Sequence, residues 1–338
     1  MDLRDALRTT LSGETLGRES AREVFSAALT EDTDPVLFGG LLTALAARGE
    51  TPDEIAGAAE ALRAAMVPFE HPCEDAIDTC GTGGDGLGTF NISTASAIVA
   101  AAAGAKVVKH GNRSVSSACG SADLLEAAGV ELELEPAAAR TVLEQVGITF
   151  LFAPRYHPSM RFAAPVRRSL GVRTLFNFLG PLCNPGRVRR QLLGISDGSR
   201  VGDFVTALER LGCERGYVVH GAGGADELTL AGDNLCAPVG DAPALEFTAT
   251  ALGLAPASIE DLAGGDAGAN LALLERVLGG EAGALRDAVA LNCAAALVVA
   301  GVATDAAQGL ACALEALDSG AATARLGEWI AVSREVSR

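Results

Sequence analysis

The chain has 338 residues, 49% of them hydrophobic and 20% charged, a globular balance with room for two unequal domains. Its net charge of −17 disfavours general binding to nucleic acid, whose phosphates such a surface repels, but leaves room for a small anion in a local pocket. Eight cysteines without a C-x-x-C pair fit no usual zinc pattern and read as reduced thiols of a cytoplasmic protein.

Residues 1–69 read as helices. Ser20-Ala-Arg-Glu23 and Thr51-Pro-Asp-Glu54 both carry a hydroxyl followed three residues later by an acid, and the second adds a proline at the first helical position. Between them Phe38, Leu41, Leu42 and Leu45 recur at helical spacing. Prolines near Val67 to Glu74 mark a boundary, and residues 70–338 form the second unit. Short strands alternate there with helices. Strands are expected at Asp75–Cys80, Lys106–His110, Ile148–Phe152, Gln191–Ile195 and Gly216–His220, with helices at Ser93–Ala103, Ser121–Ala128, Pro136–Val146 and from Ala267 onward. The fold class is therefore α/β: a small all-helical N-terminal domain, then a larger domain with a mostly parallel central sheet flanked by helices. The apolar run Ala288–Thr304 contains Asn292 and reads as a buried helix rather than a membrane span, and no signal-peptide stretch opens the chain.

Two loops carry the chemistry. Gly81-Thr-Gly-Gly-Asp-Gly86 follows the first strand of the second unit. It contains G-x-G-x-x-G, yet the position about twenty residues on is Lys106 rather than a ribose-binding acid, and no Gly-Lys-Ser/Thr ends it. What remains is a backbone free to turn N–H groups toward an anion, followed by Asn91-Ile-Ser-Thr94 at a helix start. Ser93 or Thr94 serves equally as a plain helix cap. The second loop, Lys109-His-Gly-Asn-Arg113 with Ser114, Ser116, Ser117, Gly120 and Ser121, offers two cations, hydroxyls and glycines. Two such loops on consecutive strand ends suit a ligand with two separate phosphate groups, as in phosphoribosyl pyrophosphate. The adjacent acids Asp226 and Glu227, in a glycine-rich loop past a strand end, suit magnesium. From Gln145 to Ser196 there are eight arginines and no acid, a local bias able to grip a carboxylate.

The runs GTGGD, NIST, KHGNR, SSACGSAD, HPSM, VRRSLG, TLFNFLGPLCNP and HGAGGADE, in this order from about residue 20 to 325, resemble the anthranilate phosphoribosyltransferase family. The resemblance implies an Mg2+-dependent transfer of phosphoribose from phosphoribosyl pyrophosphate to anthranilate, with release of pyrophosphate in tryptophan biosynthesis. It also implies a homodimer formed through the helical part, which helices from about 160–186 would join. By resemblance, Gly81, Gly84, Asp85, Thr89, Asn91, Ile92, Ser93 and Thr94 hold the donor, completed by Lys109, His110, Gly111, Asn112, Arg113, Ser114, Val115, Ser116, Ser117 and Ser121. Ser93, Asp226 and Glu227 would bind magnesium, and Asn112 and Arg167, with Gly81 and His110, would meet anthranilate. No catalytic base is assigned; His110 is a candidate by type, and a packing or hydrogen-bonding role suits it equally. Ala222 stands where family members often carry an acid. A nucleoside-phosphorylase-like activity is the alternative within enzymes, and a non-catalytic binder the alternative outside them; neither nucleic acid nor membrane is an expected partner.

Overall fold

The computed structural model describes residues 1–114 and 118–338. Four helices open the chain: α1 (Leu3–Leu11), α2 (Arg18–Ala28), α3 (Pro35–Arg48) and α4 (Pro52–Ala65). α4 starts where the sequence signals it, and α3 starts at an Asp-Pro pair of the same kind. Asp34 accepts the Val36 and Leu37 N–H groups ahead of Pro35, and Thr51 and Glu54 form a reciprocal capping box ahead of Pro52. The expected start of α2 at Ser20 is corrected. The helix begins at Arg18 behind Gly17, which caps it without a side chain. Arg18 is anchored by Glu60 and by the Arg210 carbonyl, which pulls the first turn forward, and Glu23 is left to bind the N-terminal ammonium at 2.8 Å.

The rest alternates. β1 (Ile77–Gly81), α5 (Ile92–Ala102), β2 (Val107–Gly111), α6 (Ser121–Ala128), α7 (Pro136–Val146) and β3 (Ile148–Phe152) lead to three short helices, α8 (Ala153–Tyr156), α9 (Met160–Leu170) and α10 (Phe176–Leu182). β4 (Arg190–Gly194), α11 (Val201–Arg210), β5 (Arg215–His220) and β6 (Leu235–Gly240) complete the sheet, and α12 (Ala267–Leu278), α13 (Ala284–Ala300), α14 (Ala306–Asp318) and α15 (Ala321–Val336) close the chain. The strand order is β3-β2-β1-β4-β5-β6, parallel except for β6 against β5. β6 is an edge strand, largely exposed and interrupted by Pro238, so its short apolar run Leu235–Val239 did not read as a strand in the sequence. The order reverses between β1 and β4, so the crevice for a ligand opens beyond the carboxyl ends of those two strands.

Two apolar clusters hold the layers. One wraps α5, α13 and the inner strands; α13 is buried on every side over Ala288–Ala300, as its unbroken apolar run requires. The other begins in α1–α4 and continues through Ala163 and Val166 of α9 and Phe176 and Leu179 of α10 to Leu193 and Phe204. Its centre is three edge-on rings, Phe25, Phe38 and Phe176, with centroids 5.8–6.1 Å apart. The helical bundle and α9–α10 therefore share one core.

Gly57 sets how closely α2 and α4 approach: a Cβ there would lie 2.3 Å from the Arg18 carbonyl oxygen and 2.8 Å from Ala21 Cβ. Gly57→Ala gains about 1 kcal/mol of helix propensity but meets backbone, and overpacking of this kind costs about 1–3 kcal/mol. A net loss of stability is expected in urea denaturation; an unchanged or higher midpoint would show that the helices separate freely.

Candidate active site

At the crevice, the last residues of β1 and β4 are Gly81 and Gly194, paired across the ladder. The loop after β5 lies over both. A Cβ on Gly81 would sit 2.1 Å from Asp226 Oδ2, and one on Gly194 would sit 1.6 Å from the Asp226 carbonyl oxygen. Gly221, where β5 gives way to the loop, faces the Glu227 carbonyl in the same way, at 2.0 Å. Glycine is thus required at three strand ends so that the acid pair can lie against the sheet.

The glycines of the first loop divide by what faces them. Gly81 faces Asp226 and Gly84 faces Arg173, whereas Gly83, Gly86 and Gly88 face open space and take positive φ of 64–75°. The Gly83 N–H donates to Asp226 Oδ2 at 2.6 Å. Leu87 N–H is taken by Asp85 at 3.1 Å, and Thr89 forms a bridge with Ala263. α5 starts at Ile92, with Asn91 as its cap residue but without a side-chain cap bond. The Asn91 amide instead donates to the Cys119 carbonyl at 3.1 Å and accepts from Asn270 at 2.9 Å, tying both loops to α12. Ile92 and Thr94 are buried.

The acids are crowded without matching cations. The Ser93 N–H donates to Glu227 Oε1 at 3.2 Å, while Glu227 Oε2 and Asp85 Oδ2 are closed from solvent with no hydrogen-bond partner. Burial, and then the Asp85 charge, pushes Asp226 up to about 6; burial, and then Asp226, raises Glu227 well above its ordinary value. Lys109 is the nearby cation. It is 2% exposed, donates to the Thr79 carbonyl and reaches Ser93 Oγ at 3.5 Å. Asn292, the lone amide in the apolar run of α13, donates to the Leu228 carbonyl at 2.8 Å and accepts from the Leu228 N–H at 3.0 Å. It fixes the backbone next to the acid pair, a role its isolation among apolar residues could have signalled. Among the described residues, no three His, Cys, Asp or Glu side chains form a ready metal cage.

The second loop closes on itself. Asp123 accepts the Ser114 and Gly120 N–H groups, each at 2.9 Å. Asn112 accepts the Arg113 N–H on its side chain and Ser121 Oγ on its carbonyl, and Gly111 leaves room for that hydroxyl. Arg113 turns outward, with two bonds to Glu126 at 2.6 and 2.8 Å. Val115, Ser116 and Ser117 lie outside the described residues.

His110 has both ring nitrogens engaged. Nδ1 lies 3.2 Å from the Gly180 carbonyl, so it carries the hydrogen, and Nε2 lies 3.2 Å from His157 Nε2, which must then donate to it. Burial, and then His157, lowers His110 to about 3; burial lowers His157 to about 4. A neutral imidazole whose lone pair is already taken makes a poor base, which favours the positional role. Beneath it Asp78, fully buried, accepts from Asn184 at 2.8 Å, and Asn184 also donates to the Val108 carbonyl at 2.7 Å. Asn184 thereby joins β1, β2 and the chain after α10.

The arginine-rich stretch resolves into separate tasks. Arg155 and Arg189 pair with Glu135 and Glu214, and Arg190 donates to the Ala300 carbonyl. Arg167 has no ion-pair or hydrogen-bond partner among the described residues; its guanidinium lies 5.4 Å from the Phe176 ring, and burial lowers its pKa. Arg173 binds the first glycine loop, at the Gly84 carbonyl (2.8 Å) and the Gly83 carbonyl (3.1 Å).

Both buried histidines have folded pKa values below the unfolded value near 6.5, so as pH falls the unfolded chain binds protons first. Their stability contribution is full above about pH 6.5 and is lost as pH falls from there to about 4 for His157 and about 3 for His110, by about 2 kcal/mol per imidazole at about pH 5. Urea midpoints at about pH 8 and pH 5 should therefore differ less in His157→Gln than in the unaltered chain. An equal difference would mean that His157 is protonated in the folded state.

Residues 4–66 match the glycosyl transferase family model for the helical bundle domain, and residues 73–323 match the model for its a/b domain. The chain is 49% identical over 340 residues to the anthranilate phosphoribosyltransferase of Roseiflexus sp. strain RS-1, covering 99% of both chains. It is 44% identical to that of Rhodopseudomonas palustris strain CGA009, covering 98% of this chain and 99% of the relative. The crystal structure of anthranilate phosphoribosyltransferase from Thermus thermophilus superposes with a TM-score of 0.92 at 47% identity, covering 98% and 99% of the two chains. The Saccharomyces cerevisiae enzyme, solved in complex with PRPP and Mg, gives a TM-score of 0.89 at 25% identity and 98% coverage of each chain. With its helical bundle, its six-stranded sheet and its full-length likeness to these enzymes, the chain belongs to the anthranilate phosphoribosyltransferase family.

Proposed function

We propose that this chain moves the phosphoribosyl group of 5-phosphoribosyl 1-pyrophosphate onto the amino group of anthranilate, forming N-(5-phosphoribosyl)anthranilate and pyrophosphate. The observation that carries the reading is the switch-point crevice itself. It joins open, positive-φ glycines and uncompensated carboxylates to the connection between α9 and α10, whose Arg173 reaches the Gly83 and Gly84 carbonyls. A donor rich in phosphate suits the loops at Gly81–Thr94 and Lys109–Ser121, and a carboxylate-bearing acceptor suits Arg167.

The acids fit magnesium: they offer hard oxygen donors, burial raises their pKa values, and their unpartnered oxygens are free to take a cation. Asp226, Glu227 and Ser93 would hold it, with Asp85 close by; a cation that keeps waters and phosphate oxygens needs no full protein cage. When bound, magnesium neutralises charge on the pyrophosphate oxygens. The protein's own part is positional. The loops orient the donor, Arg167 fixes the acceptor carboxylate, and the neutral His110–His157 pair keeps positive charge away from a site where an amine, almost unprotonated at neutral pH, attacks C1. An oxocarbenium-like transition state needs orientation and electrostatics more than a strong base. In this reading Arg113 contributes little to the donor site unless it leaves Glu126.

The division at residue 69/70 and a homodimer belong to the same proposal. Leu11 and Val36 are 71% and 80% exposed on the helical bundle, apolar surface that a second copy would cover.

Anthranilate fluorescence should fall when the protein, magnesium and the donor are mixed, and no loss across metals and pH would sink the reading. Arg167→Ala should raise the KM for anthranilate by about tenfold or more, as loss of a charged bidentate contact does, and move that for the donor far less. Equal effects on both would remove Arg167 from the acceptor site. Asp226→Asn and Glu227→Gln should both demand more magnesium for half-maximal rate, by about tenfold; unchanged metal curves would move the ion elsewhere.

A further inference from the structure

Arg173 stands on the connection between α9 and α10, next to the segment assigned to the acceptor, yet its hydrogen bonds go to the donor loop. Its Nη1 donates to the Gly84 carbonyl at 2.8 Å and its Nη2 to the Gly83 carbonyl at 3.1 Å. Phe178 of α10 lies 5.8 Å from the guanidinium. A Cβ on Gly84 would fall 2.5 Å from Nη1, so the fit of arginine to loop is close, and Gly84 at φ +75° is shaped for it. A trans peptide points its N–H opposite to its C=O, and the described chain has no cis peptide. Holding the Gly83 and Gly84 carbonyls on one side therefore turns the Gly84 and Asp85 N–H groups to the other. Neither N–H has a protein acceptor among the described residues, whereas the Gly83 N–H is taken by Asp226. Gly83 and Gly86 leave that region open.

We propose that Arg173 is a positioning residue for the donor: by clamping the Gly83 and Gly84 carbonyls it presents the Gly84 and Asp85 N–H groups to a phosphate of the sugar substrate. The segment that carries the acceptor-binding Arg167 thereby also sets the shape of the donor site. The identity of the donor rests on the transferase reading; the clamp itself requires only a phosphate-bearing ligand. Arg173 is exposed, so its removal leaves no buried charge or cavity. Lysine keeps the charge but not the fork, and glutamine keeps one amide donor without the charge.

The test measures steady-state constants for both substrates, and binding of inorganic pyrophosphate with magnesium by calorimetry, in the unaltered chain, Arg173→Ala, Arg173→Lys and Arg173→Gln. Two lost hydrogen bonds predict a donor KM and a pyrophosphate Kd raised by about tenfold or more in Arg173→Ala. Anthranilate KM should stay within about threefold, and lysine should restore part of the loss. A raised anthranilate KM with an unchanged donor KM would make Arg173 an acceptor contact and overturn the proposal, as would unchanged constants throughout. If Arg173→Ala does not fold, the glutamine and lysine variants carry the same comparison. An unaltered chain that binds pyrophosphate in an Arg173-dependent way but turns over no anthranilate would sink the transferase reading and leave the clamp standing.

Discussion

The site depends on the contact between the Asp226 segment and the bare ends of β1 and β4. Gly81 and Gly194 are neighbours in the ladder, and neither could carry a side chain without displacing Asp226. The loop after β5 can therefore lie in the crevice where the strand order reverses. Everything else at the site is arranged around the charge this brings in. Burying carboxylates away from partners costs several kcal/mol per ion. The fold meets that cost in part with the Gly83 and Ser93 N–H groups and with Lys109, and leaves the remainder as acids held above their ordinary pKa. A cation bound among these acids, as proposed above, would stabilise a site built this way.

Backbone position, more than side-chain charge, controls this chemistry. Asn292 holds Leu228, Asn270 and Asn91 link α12 to both loops, Asn184 joins Asp78 to β2, and Asp123 draws the second loop together. Each is a short amide or carboxylate serving backbone groups that no strand or helix satisfies. Such groups must find partners when buried, and a single amide that meets two or three of them fixes a loop at little cost in side-chain entropy.

Much of this was legible in the sequence, for identifiable reasons. α6, α7 and β3 were readable to the residue because proline, glycine and unbroken apolar runs mark their ends, and the capping box at Thr51 fixed the start of α4. Ser20 misled because a hydroxyl followed by an acid also occurs inside a helix whose start is set by tertiary contacts, here those of Arg18. β6 was invisible because Pro238 interrupts its short run, and a proline in a strand is tolerated only at an edge that the local pattern does not reveal. The glycine loop was recognisable as a loop of freely turning backbone past a strand end, but its glycines serve two ends. Which of them open toward ligand and which make room for Asp226 or Arg173 depends on distant residues that local pattern does not encode. The eight arginines looked alike for the same reason; only their partners separate Arg155 and Arg189 from Arg167 and Arg173.

The acidic character of the chain also takes on a local meaning. A net charge of −17 should repel a polyphosphate, and three of those carboxylates, Asp85, Asp226 and Glu227, lie at the crevice itself. Long-range attraction is therefore not what fills this crevice. Free N–H groups act over a few ångströms, and the acids become attractive to phosphate only through a cation shared between them, since screening at physiological salt leaves little beyond about 8 Å. Affinity for the donor should then rest on loop geometry and bound metal together, and so on whatever holds the Gly83 and Gly84 peptides in place. The sheet supplies the place, Gly81 and Gly194 supply the room, and Arg173, from the connection between α9 and α10, holds the loop in shape.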